Sequence, residues 1–351
     1  MTGSTDDPLD AYLTRGLDEN VYPGAVAAVG TTDGVDRISA VGDRDPERNA
    51  PATPSTVFDA ASLTKPVVTT TTALALVESG EIALSDELER HLPELAGYRR
   101  GKIRLDQLLT HSSGLQPYAF DESWASTDDV LSGLRDRSLL DADPGSRHEY
   151  SCLNFVYLAE ALRRATGQSL AELANTHVFG PAGMNNSRLG PLADDVDEAV
   201  AATFDHEYRE CTLRGEVHDP LGWAMNGESG NAGLFTTVDD LAAFAQAFLS
   251  ADGTLLSGAT VDRLQGDWLS DCEDRHSLGW RLADGTYPAP NWSLCGLGHT
   301  GYTGTSLWLD HERDLFAVLL TNQVYDGKET GLVRFRECFH AMVAAGAFDR
   351  S

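Results

Sequence analysis

"TGTSLWLDHERDLFAVLLTN", residues 303–322, holds two apolar runs joined by a charged corner, His311-Glu312-Arg313-Asp314. Short runs rich in Leu, Val, Phe and Trp, broken by a tight polar turn, form a β-hairpin. A counterpart stands near the other end of the chain. Residues 24–42, "GAVAAVGTTDGVDRISAVG", are two β-prone runs around a Thr-Asp-Gly turn, a second expected hairpin. Between the two the pattern turns helical. "CLNFVYLAEALRRATG" (152–167) places Phe155, Leu158, Ala159 and Leu162 on one face and stops at Gly167, where a helix favours glycine. "TTVDDLAAFAQAFL" (236–249) opens on a threonine cap with aspartates in its first turn. A last amphipathic stretch, roughly 329–346, ends at Gly346 and reads as a helix. Strands at both ends with helices between them predict an α+β fold, an α/β sandwich. Its antiparallel sheet is built from both chain ends and flanked by helices, with a helical region inserted. The expected boundaries are 1–80 and 268–351 for the sheet-containing region and 81–267 for the mainly helical insertion.

Charge limits the function. Fifty-four acidic residues against 26 basic ones give a formal net charge of −28. Such a surface repels phosphate backbones and anionic membranes, which argues against nucleic-acid and membrane partners. The acids are scattered and form no tail, and the only lysines are Lys65, Lys102 and Lys328. Adaptation to high salt, where screening shortens self-repulsion, is the expectation. No apolar run approaches the roughly 20 residues of a spanning helix. The N-terminal stretch has neither a basic nor an apolar segment, so a cytoplasmic location is expected. Five cysteines, without C-x-x-C spacing, argue against a zinc site or a disulfide framework. Cys272 and His276 would make only half a metal site. No metal and no cofactor is expected.

Three elements carry chemistry. "FDAASLTKP" (58–66) contains Ser62-x-x-Lys65, and residues three apart on a helix share a face. Serine needs a neighbouring base, and lysine serves as one only when burial or nearby cations lower its pKa. Pro66 fits a first helical turn, although the following "VVTTTT" is strand-like by propensity. Taken alone, the pair is an ordinary surface serine and lysine. Tyr150 stands just before the helix at 152 and can act as an acid or base beside a cation; alone it reads as a packing tyrosine. The third element is "GLGHTGYTG" (296–304), whose glycines spell G-x-G-x-x-G. A dinucleotide turn needs a following helix to hold pyrophosphate. Here a hairpin follows, so the glycines are better read as backbone access for an oxyanion. An ordinary Ser-His-Asp hydrolase lacks its G-x-S-x-G elbow, since "GESGNAG" (227–233) has Asn231 at the second glycine. A zinc hydrolase lacks its second histidine in "HEYREC" (206–211).

Ser62-x-x-Lys65, then Tyr150, then His299-Thr300-Gly301 resembles the serine β-lactamase and penicillin-recognising family, in its class C β-lactamase and esterase-like branch. "LLTHSSGL" (108–115), "PGSRHEYSCLNFVYLAEALRRATG" (144–167), "NAGLFTTVDDLAAFAQAFL" (231–249) and "GHTGYTGTSLW" (298–308) extend the likeness from about residue 24 to the C-terminus. The resemblance implies a β-lactamase/transpeptidase-like fold, one integrated catalytic unit with its site between the sheet and the helical insertion. It implies that Ser62 is acylated, that Lys65 is its proton acceptor or the electrostatic partner of Tyr150, and that Tyr150 shuttles protons. The backbone N–H groups of Ser62 and Tyr302 would form the oxyanion hole. Two positions depart from the family pattern. His299 replaces a lysine that binds the substrate carboxylate, and Cys152 stands where Tyr-x-Asn has an asparagine, with Asn154 a candidate substitute. Both departures favour a serine hydrolase of small esters or amides over a true β-lactamase or D-alanyl peptidase. A catalytically idle binding module on the same fold is the alternative from outside enzymology.

Overall fold

The computed structural model describes residues 7–193, 199–269, 275–327 and 330–348. Among the described residues, twelve strands run in chain order: β1 (Gly24–Thr31), β2 (Gly34–Asp45), β3 (Ala50–Pro51), β4 (Phe58–Asp59), β5 (Arg188–Leu189), β6 (Thr203–Asp205), β7 (Cys211–Leu213), β8 (Leu234–Thr236), β9 (Arg281–Leu282), β10 (Leu297–Thr300), β11 (Ser306–Asp310) and β12 (Leu315–Thr321). Seven of them form the main sheet, in the order β3-β2-β1-β12-β11-β10-β9. All its pairings are antiparallel, and the two halves of the chain meet where β1 lies against β12, with Ala25 opposite Thr321. Both expected hairpins are present, β1–β2 and β11–β12. The sheet is therefore built from both chain ends. Two small sheets, β4-β8-β5 and β6-β7, lie outside it.

Sequence periodicity explains why these strands read as unbroken apolar runs. In β1, Val26 and Ala28 enter one core while Ala25, Ala27 and Val29 enter another on the opposite face. β12 does the same, with Phe316, Val318 and Leu320 on one side and Leu315, Ala317 and Leu319 on the other. A sheet covered on both faces needs no polar alternation. The outer layer is α1 (Pro8–Asp18), capped by Asp7, whose carboxylate accepts from the Leu9 N–H at 2.8 Å. It meets the C-terminal helix through the Tyr12 hydroxyl, which donates to the Phe335 carbonyl at 2.8 Å. The inner layer includes α2 (Thr71–Glu78), α3 (Cys152–Thr166) and α4 (Val238–Ser250), whose apolar faces share the larger core. The C-terminal helix, α5, is Leu332–Ala344. Gly167 closes α3 at φ 74°, a left-handed cap that glycine adopts without steric cost.

The segment after β4 departs from the sequence reading. Ser62 and Lys65 do not share a regular helix. Ala61–Leu63 is a 3₁₀ turn and Lys65–Thr70 a π-helical turn, and α2 begins only afterwards. The strand-like threonine run is helical and fully buried, and two of its four hydroxyls, those of Thr69 and Thr71, find acceptors while those of Thr70 and Thr72 have none. Thr69 Oγ1 donates to the Gly230 carbonyl at 2.8 Å and Thr71 Oγ1 to the Pro66 carbonyl at 3.0 Å. Burial of the run in the core, with the long-range bond from Thr69, overrides a weak local propensity.

Candidate active site

Ser62 rides on an irregular turn. Ala61, just before it, sits at φ 48°, a left-handed conformation costly for a residue with a Cβ. Its N–H is held by Asp59 Oδ1 at 2.8 Å, and the other oxygen of Asp59 accepts from the His218 N–H at 2.8 Å. Burial of Asp59 pushes its carboxyl pKa up. These bonds fix the strained turn that presents Ser62 to a cleft of about 960 Å³.

Lys65 is fully buried, and its ammonium donates to Ser62 Oγ at 2.8 Å and to the Asn231 carbonyl at 2.9 Å. Its Nζ lies 5.1 Å from the centre of the Tyr150 ring. Tyr150 is 39% exposed and lines the same cleft as Ser62. Burial is the largest influence on both groups. It pushes the tyrosine up, where Lys65 only partly offsets it. For Lys65 burial pulls the pKa down, yet Cys152, Tyr150 and Asp219 together carry it above the usual lysine value. The lowered lysine pKa expected for a simple base is thus not found. The resting site holds a lysine ammonium beside a neutral phenol. The arrangement brings a hydroxyl, an amine and a phenol, each able to carry a proton, to one side of the cleft.

β10 supplies the opposite wall. His299 Nδ1 lies 2.8 Å from the Thr300 carbonyl, which can only accept, so Nδ1 carries the proton and Nε2 is a bare acceptor. Burial first, then Lys65, holds the His299 pKa down to about 3. His299 is therefore neutral at physiological pH and supplies no positive charge. Gly301 must lack a side chain, because a Cβ there would come within 2.0 Å of Thr305 Oγ1 and 2.5 Å of the Ala60 carbonyl. Thr300, Gly301 and Tyr302 line the same cleft as Ser62, and the Tyr302 ring lies 5.4 Å from that of His218. Cys152 lines it too, its thiol pKa raised by burial.

Asn154 does not belong to the site, which corrects the sequence reading. Its Nδ2 contacts His111 Nδ1 at 3.0 Å and its Oδ1 accepts from Ser113 Oγ, inside the core. Two residues along a helix turn a side chain by roughly 200° away from Cys152. Cys272 lies outside the described residues. Among the described residues no three His, Cys, Asp or Glu side chains converge as metal ligands, and no helix is long and apolar enough to cross a membrane.

Sequence reasoning missed His111. Its backbone carbonyl accepts from the Glu149 N–H at 2.8 Å, its Nδ1 accepts from the Ser151 N–H at 3.1 Å, and its ring lies 4.6 Å from that of Tyr150. It therefore brackets the tyrosine from both sides. A left-handed φ of 54° at a buried histidine is its signature, and that is visible only in three dimensions. Beyond it, the rings of His148 and His276 lie 3.9 Å apart on the cleft wall.

Buried imidazoles make the fold acid-sensitive. Burial holds both His299 and His340 at about 3, whereas unfolded histidine titrates near 6.5. Between those values the unfolded chain binds more protons, so stability falls as pH drops, by about 1.4 kcal/mol per pH unit for each histidine. Scanning calorimetry of wild type and His340→Gln at pH 7 and pH 5 reads this out. The wild type should lose more stability on acidification; equal losses would contradict it. Acid relief of the −28 surface acts on both proteins alike.

Comparison with known proteins sets these residues in context. The protein-family model described as Beta-lactamase matches residues 9–336. A curated Salmonella enteritidis protein named for D-alanyl-D-alanine carboxypeptidase activity is 27% identical over 310 residues, covering 78% of this chain and 70% of its own. A Salmonella typhi protein of the same name matches equally. The solved structure of EstCE1, a hydrolase with promiscuous acyltransferase activity, aligns with a TM-score of 0.78 at 23% identity, over 94% of this chain and 97% of that one. A class C β-lactamase from Rhodobacter sphaeroides aligns with a TM-score of 0.75 at 19% identity, over 96% and 98%.

Proposed function

The chain belongs to the β-lactamase family, and on that premise we propose that it is a serine hydrolase of small esters or amides that works through an acyl-enzyme on Ser62. The observation that carries this reading is the 2.8 Å contact between Lys65 Nζ and Ser62 Oγ, with the Tyr150 ring centre 5.1 Å from the same Nζ. The reactive form of the Lys65–Tyr150 pair is one proton short, with Tyr150 as phenolate or Lys65 as free amine. Ser62 Oγ attacks the carbonyl carbon while its proton passes to that base. Tyr150 then protonates the departing alcohol or amine, with Lys65 steadying the charge. In the second half the pair takes a proton from water, which attacks the acyl carbon and releases the acid. The backbone N–H groups of Ser62 and Tyr302 hold the oxyanion. The pair titrates as a unit, so neither member alone is the base.

Three features favour esters and simple amides over β-lactams. His299 carries no charge for a carboxylate beside Ser62. Cys152 offers a weak donor where an acylamino group would need amide partners. Asn154 faces the core. A β-lactamase or D-alanyl peptidase activity is the second reading, favoured by the names of the relatives. A panel of p-nitrophenyl acetate, p-nitrophenyl butyrate and a chromogenic cephalosporin tests the choice. The esters should exceed the cephalosporin in kcat/KM by roughly tenfold or more. Efficient cephalosporin hydrolysis with negligible ester cleavage would reverse the assignment. Absence of turnover and of fluorophosphonate labelling would leave a binding module.

A further inference from the structure

The two N–H groups assigned to the oxyanion belong to distant segments, Ser62 after β4 and Tyr302 in the loop from β10 to β11. Two threonines tie those segments together. Thr303 Oγ1 donates to the Asp59 carbonyl at 2.7 Å, and Thr305 Oγ1 donates to the Ala60 carbonyl at 3.0 Å. All four residues are buried. Between these anchors the loop is drawn tight. The Gly301 N–H donates to the Thr305 carbonyl at 2.8 Å, and the Gly304 N–H to the Gly301 carbonyl at 3.2 Å. Ala60 is held from its other side as well, since its N–H donates to the Leu234 carbonyl on β8 at 2.8 Å.

Ser62, Gly301 and Tyr302 line the cleft, whereas neither Thr303 nor Thr305 is among the described residues that do. The two hydroxyls therefore act on the site only through backbone. Asp59 and Ala60 shortly precede Ser62, and Thr303 directly follows Tyr302. The left-handed Ala61 lies between the clamped carbonyls and Ser62, so the clamp also bears on that strained turn. The Tyr302 side chain is 47% exposed and gives its own peptide little packing, which leaves the placement of that peptide to its neighbours. An oxyanion hole works when its donors are fixed beforehand, close to where charge develops. A misplacement of about 1 Å can cost on the order of 10²-fold in rate. Two N–H groups from separate segments need a link that sets their spacing, and the threonine pair is such a link.

We propose that Thr303 and Thr305 are positioning residues that hold the N–H groups of Ser62 and Tyr302 in register for a developing oxyanion. The inference rests on the hydrolase reading of the same cleft. Thr303→Val keeps the shape of the side chain and removes the donor. It should lower kcat for p-nitrophenyl butyrate by about 10–100-fold with KM within about threefold of wild type. Thr305→Val should act in the same direction, and Thr303→Ser should restore kcat to within about threefold. Thr71→Val is the control, since it removes another buried hydroxyl, one that bonds the Pro66 carbonyl at 3.0 Å. It should lose stability as Thr303→Val does, yet keep kcat within about threefold. A tetrahedral mimic gives the second readout. Ser62 Oγ adds to the carbonyl carbon of 1,1,1-trifluoro-2-octanone, its proton passes to the base of the Lys65–Tyr150 pair, and the ketone oxygen becomes the oxyanion. 2-Octanone has the same chain and adds far less readily. Thr303→Val should weaken inhibition by the trifluoro ketone in step with kcat/KM and leave 2-octanone unchanged. Equal weakening of both ketones, a kcat within about threefold of wild type, or a matching loss in Thr71→Val would overturn the proposal. Where a valine variant does not fold, the alanine variant at that position takes its place. If wild type shows neither ester turnover nor fluorophosphonate labelling, the hydrolase reading fails, and the clamp has no oxyanion to serve.

Discussion

Ser62→Ala should lower kcat for p-nitrophenyl butyrate by about 10⁴-fold or more and abolish fluorophosphonate labelling. The loss should be chemical, with the fold intact. The 3₁₀ turn is held by Asp59 through the Ala61 N–H, and Thr64 Oγ1 donates to the Ala61 carbonyl at 2.6 Å; neither bond uses the serine hydroxyl. Lys65 would keep the Asn231 carbonyl as an acceptor. Circular dichroism of the variant should therefore overlay the wild type. Retention of more than about a tenth of the activity, with labelling intact, would place the nucleophile elsewhere.

Lys65→Met should cut kcat by about 10²–10⁴-fold, the usual worth of a positioned proton-transfer group. Methionine keeps much of the volume of a fully buried side chain and removes the charge. The pH profile separates the two roles of lysine. The ammonium lowers the Tyr150 pKa against the opposing effect of burial, so removing it should drive that pKa higher. The residual activity should rise only at more alkaline pH than in wild type. A residual activity with an unshifted pH profile would mean that Lys65 does not tune Tyr150. A drop under about tenfold would remove Lys65 from proton transfer altogether.

The sheet was legible in the sequence because its chemistry is local. GAVAAV and LFAVLL are apolar at every position, the mark of strands covered on both faces, and each is joined to its partner by a short polar turn. Ser62, Lys65, Tyr150 and His299 were singled out by the resemblance of their segments to a known family, since Ser62-x-x-Lys65 and Tyr150 taken alone read as ordinary surface and packing residues. What resisted reading depends on distant parts of the chain. The threonine run after Lys65 is helical inside a core assembled from distant segments, where Thr69 bonds the Gly230 carbonyl 161 residues away. The lysine pKa depends on Cys152, Tyr150 and Asp219, none of them adjacent to it in sequence. Asn154 could be placed only once α3 had a definite face, and His111 only once Glu149 and Ser151 were seen to hang from it. Local motifs nominate candidates. Their protonation and orientation come from the rest of the chain.

The pairing of β1 with β12 also governs how the molecule comes into being. Residue 25 cannot meet residue 321 until nearly the whole chain exists, so the central seam of the sheet has a very high contact order. Closing so large a loop costs entropy before any pairing repays it, and folding is correspondingly slow. During synthesis the β1–β2 hairpin leaves the ribosome early and keeps an unpaired apolar edge until the last strands arrive. Ser62 and Lys65 emerge early as well, while His299 comes with the final strands. The cleft is therefore one of the last features to form, and a chain cut short before residue 297 carries Ser62 without its opposite wall.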